Sequence, residues 1–152
     1  MFVFIAMPYS QLCDENYLLK PEYKDFCIKL TTKLKEIGCT YFLAHERENW
    51  GKEYSKDTES TEIDFNTISR CDLVCMIPGV PASGGVHVEL GWASAAHKKI
   101  NLFLQKDYFY SPMVTGIDVL TDARKYYYDS DYNEELVDII IDSVKERMKE
   151  NA

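Results

Sequence analysis

Short apolar runs alternate with longer segments of helical periodicity along this chain. The apolar runs predict strands at Phe2–Met7, Cys39–Ala44, Cys71–Ile77, Ile100–Leu104 and Lys125–Asp129. Helices are predicted where apolar residues recur every three to four positions, at Glu15–Ile37, Thr61–Arg70, Val86–His97 and Asn133–Lys149. Strands that are apolar on both faces are typical of parallel sheets. The pattern therefore predicts an α/β fold, a single-domain, Rossmann-like, doubly wound parallel sheet of about five strands with helices on both faces.

Two segments interrupt this pattern. Pro21 is predicted to sit in the first turn of the first helix or to separate two helical pieces. The polar stretch from His45 to Ser60 has no regular periodicity and is predicted to be a long surface loop.

Composition narrows the possible partners and compartment. The 152 residues fit one domain, 1–152, and the net charge of −8 provides no broad basic surface for a nucleic acid polymer. Five cysteines without CxxC spacing, and no basic segment before the first apolar run, predict reduced thiols and a cytoplasmic protein. The apolar runs are too short for a membrane span, so no membrane partner is expected.

Four segments follow the carboxyl ends of predicted strands, where ligands bind in open α/β sheets. They are Met7–Ser10, His45–Gly51, Pro78–Gly85 and Lys106–Gly116.

The third of these segments leads into the most informative helix. Ser83 can cap that helix, and Gly84 and Gly85 would let a phosphate approach free backbone N–H groups. Glu89 lies in its second turn, where a carboxylate could face the ligand. On spacing alone, a purely structural interpretation remains open. The serine and glycines would then form an ordinary helix start, and the glutamate would merely complement the helix dipole.

An ordered set of residues resembles the nucleoside 2-deoxyribosyltransferase-like superfamily over nearly the whole chain. The set comprises the run Val3–Pro8, Asp64 eight positions before Asp72, and Ser83 six positions before Glu89 in a Gly-Val-x-x-Glu-Leu-Gly context. Within that superfamily, the chain looks more like the nucleoside 5′-monophosphate N-glycosidases, which include deoxynucleotide hydrolases and cytidylate or hydroxymethylcytidylate hydrolases.

The resemblance implies a role for each matching residue. Glu89 would be the catalytic glutamate that attacks the anomeric carbon, and Asp64 the second acidic residue, which positions the sugar or handles the proton of the leaving base. Ser83 would bind phosphate. Ser111 would reach the phosphate of a neighbouring subunit, so the active sites would be shared within a homodimer or larger even-numbered assembly. Phe4 stands where the cytidylate hydrolases carry phenylalanine, which favours a ribonucleotide.

Further candidate substrate-binding residues lie in the strand-end segments: Pro8, Tyr9, Ser10, His45, Arg47, Trp50, Gly85 and Met113. For His45 and Trp50, ligand contact and ordinary packing both remain open. The strand end Ala6-Met7-Pro8 departs from the glycine-containing strand ends of relatives, which predicts a narrower pocket at Met7 or altered backbone donors.

The chemistry predicted from these residues is cleavage of an N-glycosidic bond by two carboxyl groups, without a metal or cofactor. The leading hypothesis is hydrolysis of a nucleoside 5′-monophosphate with a pyrimidine such as cytosine. The tail Met148–Ala152 does not match the asparagine- and aromatic-containing tail of transferases, which favours hydrolysis over base exchange. The alternatives are a nucleoside 2′-deoxyribosyltransferase and a non-catalytic nucleotide-binding or TIR-like signalling module.

Overall fold

A single parallel sheet organises the protein, whose computed structural model describes residues 1–129 and 131–150. Its strands are β1 Phe2–Ala6, β2 Thr40–Leu43, β3 Leu73–Met76, β4 Lys99–Gln105 and β5 Ala123–Tyr128. They lie in the order β2-β1-β3-β4-β5, and every neighbouring pair is parallel. The predicted doubly wound parallel sheet is thus confirmed. Ser130 and the last two residues of the tail compared with transferases, Asn151 and Ala152, lie outside the described residues.

Helices cover both faces of the sheet, as predicted. They are α1 Pro21–Glu36, α2 Ala44–Arg47, α3 Asp57–Arg70, α4 Gly84–Ala95, α5 Pro112–Thr115 and α6 Glu134–Glu150. The pleat of β1 divides the core in two, because Val3 and Ile5 pack with α1 and α6 whereas Phe4 and Ala6 pack with α3 and α4. Within 1–129 and 131–150, no helix has the length and apolar character that crossing a membrane requires.

The first helix is shorter than its predicted span of Glu15–Ile37. It begins at Pro21, whose missing N–H costs nothing at a first helical position. The preceding residues form a loop in which the Asp14 carboxylate accepts hydrogen bonds from the backbone of Asn16 and Leu18. A short polar side chain therefore competes with the helix for these backbone donors.

The prediction of a surface loop at His45–Ser60 is wrong for the first half of this segment. Helix α2 follows β2 directly. His45 on α2 and Glu48, the residue that caps the end of α2, are both buried. The chain then turns through left-handed conformations at Asn49, Trp50 and Gly51. Glycine is required at the last position, because a side chain there would collide with the Tyr17 carbonyl oxygen. His45 and Glu48 are thus packed in the interior, whereas most polar residues of 52–60 remain exposed.

The strand order places a crevice between the carboxyl ends of β1 and β3. The connection after β1 runs to β2 on one side and the connection after β3 runs to β4 on the other, which is the switch point where ligands bind. The two connections touch, since Gly79 lies against the Pro8 ring and Gln11 donates a hydrogen bond to the Pro81 carbonyl at 3.2 Å. Pro8 and Gly79 together form the floor of this crevice.

Candidate active site

The N-terminus of α4 opens beside this crevice. The Ser83 side chain caps the helix by accepting a hydrogen bond from the Val86 N–H at 3.5 Å. Gly84 and Gly85 are exposed, and no heavy atom approaches the space above Gly84. The predicted cap is confirmed, and the first amide groups of a helix of 12 residues are open to an anion.

Glu89 lies one turn further along α4 in a dry environment. Burial, and then the charge of Asp64, raise the pKa of Glu89 to about 8. Helices α3 and α4 are held together next to it by an edge-on contact between the Phe65 and Trp92 rings, whose centroids are 5.5 Å apart. The structure thus brings two predicted site residues, from separate helices, into electrostatic contact.

Asp64 on α3 shares the same environment. Burial raises the pKa of Asp64 to about 6; Arg47 lowers it and Glu48 raises it. Its Oδ1 atom is buried and has no hydrogen-bond partner in the described part of the chain. A buried acceptor without a partner is rare in folded proteins and is suited to a ligand donor.

A pocket of about 210 Å³ lies between α2 and α3. Its lining residues are Tyr9, Ala44, Arg47, Glu48, Tyr54, Ser55, Asp57, Ser60 and Asp64. Arg47 donates to Ser55 Oγ at 2.6 Å and to Glu48 Oε1 at 2.9 Å, yet its buried Nε atom has no partner among the described residues. An unpaired donor on Arg47 and an unpaired acceptor on Asp64 therefore border one pocket.

His45 supports the wall of this pocket from behind. Its Nε2–H donates to the Pro8 carbonyl oxygen at 2.8 Å, and its ring stacks on Tyr9 with centroids 4.2 Å apart. Burial lowers the pKa of His45, although its hydrogen bond to Pro8 acts in the opposite direction. In the structure, His45 fixes the Pro8–Tyr9 connection.

Three predicted residues pack into the interior and do not line the pocket. Phe4 is 1% exposed and stacks on Phe42 with centroids 5.1 Å apart. Trp50 packs against the α1 side of the core, with the Lys24 ammonium 5.3 Å from its ring centroid. Met7 is buried on that side too, where the Cys27 thiol lies 3.7 Å from its sulfur. The Met7 side chain therefore turns away from the crevice.

Ser111 and Met113 lie on a different surface of the same chain. Ser111 caps α5 by accepting from the Met113 N–H at 3.3 Å. Both residues border a groove of about 410 Å³ along α4, beside His87 and Gly91. The groove is separate from the pocket that contains Asp64.

Sequence reasoning missed Glu48, Tyr54 and Ser60 because their segment was interpreted as solvated loop. Glu48 is only 5% exposed and accepts hydrogen bonds from Tyr9 and Ser60 as well as from Arg47. The available signal was an arginine flanked by two glutamates, directly after the histidine that follows β2.

Metal binding finds no support in the side-chain arrangement. Across 1–129 and 131–150, no three His, Cys, Asp or Glu side chains converge as a metal site requires. The five cysteines are all buried and unpaired by disulfides.

The site and fold together define an α/β protein with a coupled carboxyl pair at the switch point of its sheet. Neither a family model nor a curated protein matches the chain. Among solved structures, a CMP N-glycosidase from Clostridium botulinum, BcmB, is 26% identical with a TM-score of 0.71, over 95% of this chain and 98% of that one. The solution structure of BlsM is 29% identical with a TM-score of 0.74, over 97% of this chain and 93% of that one.

A more distant neighbour shares the fold. The 2-deoxyribosyltransferase from Bacillus psychrosaccharolyticus is 20% identical with a TM-score of 0.59, over 89% of this chain and 90% of that one. The solved structures similar to this chain thus include a nucleotide N-glycosidase and, for the fold, a 2-deoxyribosyltransferase. These similarities support the resemblance to the nucleoside 2-deoxyribosyltransferase-like superfamily and its nucleotide N-glycosidase branch that the sequence indicated.

Proposed function

We propose that this protein hydrolyses the N-glycosidic bond of a nucleoside 5′-monophosphate, releasing the free base and a sugar 5-phosphate, with a pyrimidine such as cytosine as the base. The protein is an enzyme that acts on the N-glycosidic bond. The observation that carries the proposal is the pair of half-buried, mutually interacting carboxyl groups on Glu89 and Asp64, next to the open N-terminus of α4.

The two carboxyl groups suit a double-displacement reaction. In its ionised form Glu89 attacks C1′ as the bond to the base breaks, and the electron pair of that bond leaves with the base. Asp64 in its protonated form gives its proton to the departing base. Water then attacks C1′, Asp64 takes a proton from that water, and Glu89 is released as a carboxylate.

The 5′-phosphate fits the N-terminus of α4. Ser83 and the amides of Gly84 and Gly85 supply hydrogen-bond donors at the positive end of the helix dipole. Ser10, exposed after β1, is the further candidate donor from the same chain.

The base fits the pocket between α2 and α3. Nucleobases present carbonyl and N–H groups side by side at their edges, which matches the unpaired donor of Arg47 and the unpaired acceptor of Asp64. Tyr9 and Tyr54 add aromatic faces to this pocket, with ring centroids 6.0 Å apart. Aromatic faces of this kind stack on bases.

Base release from a panel of nucleoside monophosphates, separated by chromatography, tests the proposal. We expect CMP to yield free cytosine and ribose 5-phosphate in equal amounts, at a rate that does not depend on an added acceptor base. Incorporation of a labelled acceptor base into a new nucleoside would show transfer instead. Binding of the panel without any product would indicate a nucleotide-binding module.

A second copy of this chain is the proposed partner. Large apolar side chains are exposed around the groove that contains Ser111, namely Val88, Met113, Val119 and Leu120, which are 51%, 81%, 84% and 60% exposed. Burying such side chains favours association of two identical surfaces. Ser111 at this surface would then complete the phosphate site of the neighbouring subunit.

A hybrid dimer tests this shared site. Each parent homodimer, Glu89→Gln or Ser111→Ala, is expected to be severely impaired. A hybrid isolated with two different affinity tags should recover about half of wild-type activity, because one of its two sites has both wild-type residues.

The matched control combines Glu89→Gln with the Glu89→Gln/Ser111→Ala double variant, whose hybrid contains no intact site. A hybrid of the single variants that is as inactive as its parents, or a fully active Ser111→Ala homodimer, would contradict the shared site. A protein that light scattering shows to be strictly monomeric, but that is fully active, would also contradict the shared site.

A further inference from the structure

Glu48 is a buried acidic side chain for which the proposed reaction has so far no use. Its Oε1 accepts hydrogen bonds from Arg47 at 2.9 Å and from Ser60 at 3.2 Å, and its Oε2 accepts one from the Tyr9 hydroxyl at 3.1 Å. Three donors on one carboxylate account for its burial, which is otherwise costly. These donors occupy both carboxylate oxygens, so Glu48 is already engaged within the protein.

The three contacts hold Glu48 in the wall of the pocket that Asp64 also lines. Ser60 lies one helical turn before Asp64 on α3, so its bond ties the Glu48 carboxylate to the Asp64 side of that helix. Glu48 is therefore a fixed charge beside one member of the carboxyl pair.

We propose that Glu48 is a positioning residue that acts through Asp64, biasing the proton shared by Asp64 and Glu89 toward Asp64. This inference rests on the proposed function, in which Asp64 must hold a proton while Glu89 is ionised.

The need for such a bias follows from the pair itself. Two carboxyl groups that share a dry site do not both ionise readily, so near neutral pH they hold one proton between them. Burial favours that proton on Glu89, whose pKa is raised to about 8, over Asp64, whose pKa is raised to about 6. The preferred arrangement in the empty site is thus the unproductive one.

Glu48 opposes this preference because its charge acts on Asp64 and not on Glu89. Its charge contributes to the raised pKa of Asp64, whereas the raised pKa of Glu89 arises from burial and from Asp64. The other charged or titratable groups facing Asp64 are Arg47 on α2, Glu89 on α4, and Tyr9, Tyr54 and Asp57 around the pocket. Of these, Arg47 lowers the pKa of Asp64, and its ion pair with Glu48 balances that effect.

The experiment is a titration of the free protein labelled with ¹³C at the aspartate carboxyl carbons, with the Asp64 signal assigned from Asp64→Asn. In Glu48→Gln, which keeps the shape but removes the charge, we expect the Asp64 titration to move down by about one pH unit. Glu46→Gln is the matched control, because Glu46 is an exposed residue of α2 two positions before Glu48 and its loss should leave the titration in place.

The same variants are then compared by kcat/KM across pH on one substrate. For Glu48→Gln, the acid limb should move to lower pH with Asp64, the alkaline limb set by Glu89 should stay, and the maximum should fall about tenfold because the productive protonation state is rarer. Titration of the substrate phosphate is common to all variants and cancels from the comparison. A purely structural loss would lower the maximum without moving one limb.

Two outcomes overturn the inference. One is an Asp64 titration in Glu48→Gln that coincides with wild type. If Glu48→Gln does not fold, Arg47→Met replaces it. Loss of the Arg47 charge should move the Asp64 titration to higher pH. The second contrary outcome is an Asp64 titration in Arg47→Met that does not move. If wild type releases no base but the shifts occur, the proposed function fails while the coupling between Glu48 and Asp64 stands.

Discussion

Replacing Glu89 by glutamine is expected to lower kcat about a thousandfold or more while changing the Kd for the nucleotide only a few-fold. The amide has the same shape but cannot form the bond to C1′ or stabilise the positive charge that develops there. Its effect therefore falls on the transition state and much less on substrate binding. Burst kinetics and isothermal titration calorimetry, on one preparation, measure the two quantities separately.

The matched control for Glu89→Gln is Glu62→Gln. Glu62 is exposed on α3, so the charge change is the same and only the location differs. We expect near wild-type turnover from it. Retention of most activity by Glu89→Gln would remove Glu89 from the mechanism, and a parallel loss of binding would assign it to substrate recognition instead.

Removal of the 5′-phosphate from the substrate is the second change with a large expected effect. Cytidine should be cleaved with a kcat/KM at least about a hundredfold below that of CMP, because two or more hydrogen bonds to a charged group are lost. The bonds in question come from Ser83 and the amides of Gly84 and Gly85 at the start of α4. Parallel progress curves on the two substrates give the ratio directly.

Ser83→Ala provides the internal check on that ratio. It should lower kcat/KM for CMP but leave the value for cytidine nearly unchanged, so the two substrates become more alike. Equal efficiency of wild type on cytidine and CMP would contradict a phosphate site at α4 and favour the transferase alternative.

The parts of the site that sequence could predict are those with a local signature. Ser83, two glycines and Glu89 sit at helical spacing, whereas Asp64 was identified only through the resemblance to the superfamily. The alternation of apolar runs with helices predicted a parallel sheet of about five strands, which the structure confirms. Each of these features depends on residues that are close together in the chain.

What sequence could not predict depends on contacts between distant segments. Glu48 and Tyr9 are 39 positions apart, and only the fold shows that their side chains meet. His45 was ambiguous for the same reason, since its partner is the backbone carbonyl of Pro8. The start of α1 was misplaced because the Asp14 side chain binds backbone N–H groups that a helix would otherwise use.

The pocket wall between α2 and α3 comes largely from one continuous stretch of chain. Residues 44–60 supply Arg47, Glu48, Tyr54, Ser55 and Ser60. Glu89, by contrast, comes from α4, which packs beside α3. The left-handed turn at Asn49 to Gly51 closes this stretch on itself without involving the sheet. A segment of this kind can be replaced without changing the rest of the fold. Variants with altered base preference can therefore be sought by randomising residues 52–56 alone, while the sheet and the helix that carries Glu89 stay constant.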